Sequence, residues 1–247
     1  MSTHADRVAV VTGAARGFGR AVAIELARRG AAVVAVDLHP ADEVVAEIER
    51  MGGKALALRA DVSDSAAVAA INGDIMAFGG RVDILVNNAG VIASKDVFEI
   101  SFDDWKRIQK ANVDSQFLMA KAVMGSMRDN GWGRIVNLAS NSLGLAVPGL
   151  VHYMASKGAV IGFTRALATD LAPYGITVNA VCPTASRTPG GELNISDAKF
   201  ALVSSIQAIK RVGVAEDIVG TVCFLTSGDC AFLTGQTLVA DGGLMRV

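Results

Sequence analysis

Residues 7–30 read "RVAVVTGAARGFGRAVAIELARRG", and their pattern decides the fold. The run from Arg7 to Thr12 is apolar and rich in valine, the composition of a buried strand. Thr12-Gly13-Ala14-Ala15-Arg16-Gly17-Phe18-Gly19 follows without a gap, and Arg20 to Arg29 is amphipathic, with Val22, Ile24 and Leu26 among its apolar positions. A strand, a glycine turn and a helix in immediate succession make a phosphate cradle. Residues without a Cβ let backbone approach a diphosphate closely, at a helix end whose N–H groups have no partner. A glycine triplet alone is only a glycine-rich turn; the strand before it and the helix after it supply the context that the nucleotide reading requires.

Working outward, Asp37 stands at the end of the second strand candidate, eighteen residues beyond Gly19. A carboxylate there accepts the ribose hydroxyls of an adenine nucleotide and repels a 2′-phosphate. Arg16 points the other way, since a basic residue in the loop pairs with that phosphate. Leu38 and His39, which follow Asp37, offer no lysine or arginine to offset its charge. The expected cofactor is therefore NAD(H) rather than NADP(H).

The rest of the 247-residue chain repeats the alternation. Strand candidates lie at 7–12, 32–36, 55–61, 83–88, 134–140, 177–183 and 236–240, with amphipathic stretches between them, such as 42–51. Strands nearly continuous in Val, Ile, Leu and Ala are buried on both faces, as in a parallel sheet covered by helices. The expected fold is α/β: one doubly wound Rossmann domain over residues 1–247, with a seven-stranded parallel sheet. Ser101 to Asp104 reads as a capping box opening a long helix that runs to about Met127. Thr184 to Gly213 breaks the rhythm, with one helix-like stretch, and is expected to be a lid inserted before the last strand.

Composition excludes several classes. Hydrophobic residues are 51% and charged residues 19%, which excludes disorder, and a net charge of −1 without a basic run argues against nucleic acid. No apolar run approaches the ~18 residues of a membrane span. The polar start "MSTHAD" is not expected to be a signal peptide, and Cys182, Cys223 and Cys230 lack metal or redox spacing, so reduced thiols in a cytoplasmic protein without a metal site are expected.

"TGAARGFG" (12–19), "NNAG" (87–90), Asn112, Ser140 and "YMASK" (153–157) occur together at spacings that resemble the short-chain dehydrogenase/reductase family across essentially the whole chain. Within it, "NVDSQFLMAKA", "NGWGRIVNLAS" and "GFTRALATDL" are most similar to NAD-dependent secondary-alcohol dehydrogenases of the 1-phenylethanol type. The resemblance implies catalysis by Asn112, Ser140, Tyr153 and Lys157. It also implies cofactor contacts from Gly13, Arg16, Gly17, Phe18, Gly19, Asp37, Asp61, Val62, Asn88, Ala89, Gly90, Tyr153, Lys157, Pro183, Ser186 and Thr188. Two positions depart from the family, Thr184 in place of the usual glycine and Ser186 in place of a β-branched apolar residue, which alters the pocket edge.

The chemistry of these residues agrees with those roles. Tyrosine, with a pKa of about 10, is a poor base at neutral pH. Positions four apart share a helix face, and an ammonium ~6 Å from the phenol at an effective dielectric of about 20 attracts its anion by about 2.8 kcal/mol. Lys157 is thus expected to lower the pKa of Tyr153. Ser140 would hold the substrate oxygen, while the family's arrangement gives Asn112 a distorted helix and a part in a water relay from Lys157. Singly, each residue has a plainer reading: an aromatic anchor, a solvated lysine, a strand-end cap, a helix polar group. Leu143, Leu145, Val147 and lid residues 190–206 are expected to line a cleft suited to a hydrophobic or aryl ketone, with His152 divided between lining and a structural contact.

The family also implies a homotetramer with a small-molecule alcohol or ketone substrate, and a C-terminal tail reaching a neighbour's site. Two alternatives stand beside this reading. One is an NADPH-dependent 3-oxoacyl-[acyl-carrier-protein] reductase, opposed by Asp37 and by Asp129 and Tyr174 where carrier-docking enzymes are basic. The other is a nucleotide-binding regulator without turnover, opposed by the intact tyrosine and lysine.

Overall fold

The computed structural model describes residues 3–246; Met1 and Ser2 of the polar start and Val247 of the tail lie outside the described residues. In chain order the elements are β1 (Val8–Thr12), α1 (Gly17–Arg28), β2 (Ala32–Asp37), α2 (Asp42–Arg50), β3 (Ala55–Arg59), α3 (Ser65–Gly79), β4 (Ile84–Asn87), α4 (Phe102–Gln109), α5 (Ser115–Asp129), β5 (Gly133–Leu138), α6 (Val151–Leu171) and β6 (Ile176–Pro183). The insertion follows as β7 (Ser186–Arg187), α7 (Pro189–Asn194), α8 (Asp197–Ile206) and β8 (Gly213–Val214), and the chain closes with α9 (Val219–Leu225) and β9 (Thr237–Ala240). Among the described residues no helix is long and apolar enough to cross a membrane.

Seven parallel strands form one sheet in the order β3-β2-β1-β4-β5-β6-β9. Successive side chains alternate between its faces. Ala9, Val11, Val33 and Ala35 join the core under α1, α2 and α9, whereas Val10, Val34 and Val36 join the core under α3, α5 and α6. The strand order reverses between β1 and β4, and at such a switch point a crevice opens beyond the carboxyl ends of the strands. At the opposite end, buried Asp83 accepts hydrogen bonds from Arg7, Arg81 and the Val8 N–H, which ties β1 to β4.

Three sequence expectations shift in detail. β3 ends at Arg59 and β5 at Leu138, so Asp61 and Ser140 sit on the turns beyond their strands. The capping box is present, with Ser101 Oγ accepting from the Asp104 N–H at 3.0 Å and Asp104 accepting from the Ser101 N–H at 3.1 Å. The helix it opens is interrupted, however, by a π-helical turn at Lys110–Asp114. The lid carries α7 and a short parallel β7–β8 pair besides the expected helix; two-residue strands are too short to show a period.

Candidate active site

The glycine loop is shaped by close approach. Gly13 has φ of +64°, and a Cβ there would lie 2.8 Å from Asn88 Nδ2. A Cβ on Gly19 would fall 2.1 Å from the Gly13 carbonyl oxygen. The loop is held from the neighbouring strand. Thr12 Oγ1 accepts from the N–H groups of Asn88 and Ala89, both at 3.0 Å, and Asn88 Nδ2 donates to the Thr12 and Gly13 carbonyls at 2.8 and 3.1 Å. The part played by Thr12 was missed in the sequence; its signal was a hydroxyl on the last residue of an otherwise apolar strand.

Asp37 is buried, its carboxylate accepting from the Ala15 and His39 N–H groups, each at 2.9 Å. A carboxylate has about four acceptor positions, so two remain. Arg16 is exposed at the N-cap of α1, which has no capping side chain and no acid in its first turn. The first N–H groups of a helix lack partners, and Gly17 and Phe18 both line the large cavity, so the loop presents an anion cradle that suits a dinucleotide diphosphate. The Ser63 hydroxyl, bonded to Asp61, holds the Asp61 carboxyl below its ordinary range.

On the other side of the crevice, Ser140 and Tyr153 are both buried, and both line the same cavity. Ser140 Oγ also donates to Ser142 Oγ at 2.9 Å and accepts from the Ser142 N–H at 3.2 Å. Lys157 lies on the same face of α6 as Tyr153, its Nζ 5.9 Å from the ring centre. Nζ donates to the Leu138 carbonyl at 2.7 Å. Burial lowers the Lys157 pKa from 10.5 to about 8. The expected downward pull on Tyr153 is not what dominates: burial pushes its phenol up, and the Ser140 hydroxyl nearby only partly opposes it. The reason is desolvation, since an anion deprived of water loses more than a lysine bonded elsewhere returns.

Asn112 sits inside the π turn, fully buried. Its Oδ1 accepts from the Val91 N–H at 2.7 Å, and its Nδ2 donates to the Val91 carbonyl and to Ser156 Oγ, both at 2.9 Å. The amide thus clamps the backbone just after "NNAG", and a Cβ on Gly90 would meet both Asn112 Oδ1 and Lys157 Nζ, at 2.9 and 3.6 Å.

One cavity of about 1160 Å³ joins the two halves. Gly13, Arg16, Gly17, Phe18, Asp37, Asp61, Val62, Asn88, Ala89, Gly90, Ser140, Tyr153, Lys157, Pro183, Ser186 and Thr188 all line it. Two expected site residues do not: Gly19 packs under the loop, and Asn112 lies behind Gly90. Leu145, Val147 and the lid residues Leu202, Val203 and Ile206 form an apolar wall, to which the structure adds Ile92, Leu150 and Leu244. Leu143 and His152 are absent from the wall; His152 is buried, with the amide of Gln109 donating to its carbonyl. The tail, expected at a neighbour's site, places Leu244 in this chain's own cavity.

The chain is similar to known proteins along nearly its whole length. A family model described as enoyl-(acyl carrier protein) reductase matches residues 13–245. The chain is 39% identical to the (2S)-[(R)-hydroxy(phenyl)methyl]succinyl-CoA dehydrogenase subunit BbsD of Thauera aromatica, with 96% of each chain covered. It is 38% identical to a 3-oxoacyl-[acyl-carrier-protein] reductase of a Synechocystis strain, with 99% of each covered. In structure it is similar to a short-chain type dehydrogenase/reductase from Mycobacterium marinum, with a TM-score of 0.93, 34% identity, and 99% and 97% of the two chains covered. Among other similar structures one holds NAD and another NADP. With the glycine cradle and the Ser140–Tyr153–Lys157 cluster facing one cavity, the chain belongs to the short-chain dehydrogenase/reductase family of oxidoreductases.

Proposed function

We propose that the protein interconverts a secondary alcohol and its ketone with NAD(H), the substrate carrying a hydrophobic or aryl group. The observation that carries this reading is the position of the Ser140–Tyr153 hydroxyl pair against an apolar wall of Ile92, Leu145, Leu150 and Leu244. A substrate hydroxyl beside those two oxygens would accept from Ser140, once its hydroxyl turns away from Ser142, and would give its proton to Tyr153 in the phenolate form while the carbinol carbon gives up its hydride to the nucleotide. A bound oxidised nicotinamide would supply hydride acceptance and a positive charge. That charge acts against the burial that raises the Tyr153 pKa. Lys157, its pKa lowered by burial to about 8, would take part in the proton relay through water, since its Nζ is bonded to the Leu138 carbonyl. Asn112 fixes the Gly90–Val91 backbone and leaves an Oδ1 lone pair for the relay water expected of the family.

The NAD(H) assignment rests on Asp37, whose two backbone bonds fix it with acceptor capacity to spare. The BbsD name describes a hydroxyl beside a phenyl group, which fits an aryl carbinol. A homotetramer is part of the proposal, supported by the exposed side chains of Phe102 and Phe117 along the interrupted helix and Val151 at the start of α6.

A second reading is 3-oxoacyl thioester reduction, favoured by the similar acyl-carrier-protein reductase. Against it, Arg128 is paired with Asp129 at 2.8 Å and Tyr174 is exposed where a carrier would need positive charge. The deciding experiment offers NAD⁺ and NADP⁺ with each enantiomer of 1-phenylethanol, and NADH and NADPH with an acetoacetyl thioester, following nicotinamide fluorescence. Oxidation of one enantiomer with NAD⁺ alone supports the proposal. Thioester reduction with NADPH and no alcohol oxidation replaces it with the second reading.

A further inference from the structure

The segment after β9 folds back on itself around one carboxylate. Asp241 is 2% exposed. Its Oδ1 accepts from the N–H groups of Gly243 and Leu244, each at 3.0 Å, and its Oδ2 from the Met245 N–H at 2.8 Å. Gly242 and Gly243, at φ of +70° and +77°, make the reversal that brings three successive N–H groups onto one side chain. The same Oδ2 accepts from Asn141 Nδ2 at 3.2 Å, so the hook is tied to the residue that follows Ser140.

The hook makes two further contacts. Met245 packs on the turn after Ser140, where a Cβ on Gly144 would lie 1.9 Å from its Sδ. Gly242 accepts from the Ile209 N–H at 2.8 Å, just beyond the end of the lid helix α8. The hook therefore touches the lid on one side and the Ser140 turn on the other, and Leu244 projects into the cavity between them.

We infer that the hook Asp241–Met245 is a specificity and positioning element of the active site. Leu244 is the wall that limits the substrate's apolar group, and Asp241 is the positioning residue that holds Leu244 and the Ser140 turn in one register. A buried carboxylate that accepts four hydrogen bonds is held in one arrangement, because a shift breaks several bonds together and strands the buried Asn141 donor. Nothing in this coupling requires the substrate to be an alcohol; only the choice of probe rests on the function proposed above.

The test compares wild type with Leu244→Ala on a large and a small member of one substrate series. The alcohols are 1-phenylethanol and 1-(2-naphthyl)ethanol with NAD⁺. In parallel, short and long 3-oxoacyl thioesters are offered with NADH and NADPH. The dissociation constants of acetophenone and 2-acetonaphthone from the NADH complex, read by nucleotide fluorescence, report on the same wall without turnover. Leu244→Ala should raise the large-to-small ratio at least fivefold in whichever series the wild type uses; a smaller change overturns the inference. Turnover of thioesters alone would remove the alcohol reading and leave the ratio to judge the hook independently.

Asp241→Asn tests the positioning role. The amide keeps one acceptor oxygen but turns an NH₂ toward the Met245 N–H and Asn141. We expect kcat to fall at least tenfold, with KM changed less and NADH affinity within twofold. Adding Asn141→Asp, which restores a hydrogen bond between the two positions, should recover part of kcat. Loss of NADH affinity in step with kcat, and no recovery in the double variant, would reduce Asp241 to a folding residue and overturn its positioning role.

Discussion

Replacing Lys157 with methionine removes a buried ammonium while keeping a side chain of similar length. Lys157 is 5% exposed and its Nζ gives one hydrogen bond, to Leu138. Burial lowers its pKa from 10.5 to about 8, so between those values the folded state binds fewer protons than the unfolded state. Stability rises with pH wherever the unfolded state binds more protons, so the penalty of this lysine is full below pH 8 and fades toward pH 10.5. At 1.36 kcal/mol per unit, the penalty is roughly 3 kcal/mol at pH 7 and roughly 1 kcal/mol at pH 10. Methionine does not titrate. The unfolding free energy of wild type minus that of Lys157→Met should therefore climb by roughly 2–2.5 kcal/mol between pH 7 and pH 10. Groups common to both proteins cancel in that difference. The assay is urea unfolding at one protein concentration and without nucleotide, followed by the fluorescence of Trp105 and Trp132. A difference that stays flat across this range would refute the reasoning, because it would mean that burial does not govern the lysine's ionisation. Loss of activity in the same variant would mark the lysine as a residue kept for chemistry at a cost in stability.

Three further outcomes are expected. Tyr153→Phe removes only the hydroxyl proposed to exchange the proton, and should lower kcat about 10²–10⁴-fold with NADH affinity, read by fluorescence titration, within twofold; near-wild-type turnover would remove the tyrosine from the mechanism. Gly19→Ala sets a Cβ against the Gly13 carbonyl, where backbone has to move, so nucleotide affinity should weaken at least tenfold, about 1.4 kcal/mol, in the same titration. Asp83→Asn leaves Arg7 and Arg81 without their shared carboxylate. Because their side chains are 30% and 39% exposed, the expected loss is about 2–3 kcal/mol by urea unfolding, below that for a fully buried pair, with kcat unchanged.

The elements legible from sequence are those whose pattern is local. All seven strands of the main sheet lie where apolar runs placed them; the inner strands are buried on both faces and have to be largely apolar, and the partly buried edge strands β3 and β9 keep the same composition. The glycine loop was legible because Gly13 and Gly19 answer close approaches that a Cβ would block, and Gly17 takes a φ of +58°. The π turn at Asn112 was less so: the family's pattern implied a distorted helix, but the extra residue shows only once Val91 and Ser156 take up the amide. His152 illustrates the limit. Adjacency to Tyr153 left it divided between lining and core, and the turn of α6 sends it inward, away from the cavity.

The sequence by itself determined the chain's parallel α/β order, its glycine turn between β1 and α1, the carboxylate at Asp37 and the presence of the serine, tyrosine and lysine of the proposed proton-transfer unit. Each of these follows from residue type and spacing along a few turns of chain. Only the tertiary structure decided what those groups experience. Burial, which depends on everything packed around α6, raises the Tyr153 pKa and lowers that of Lys157, so the through-space attraction expected from their spacing is not the dominant effect. Likewise, Asp241 and Asn141 are a hundred residues apart, and no local pattern joins them. The ends of β5 and β9 bring them together, and a buried carboxylate has to accept whatever donors the fold delivers to it.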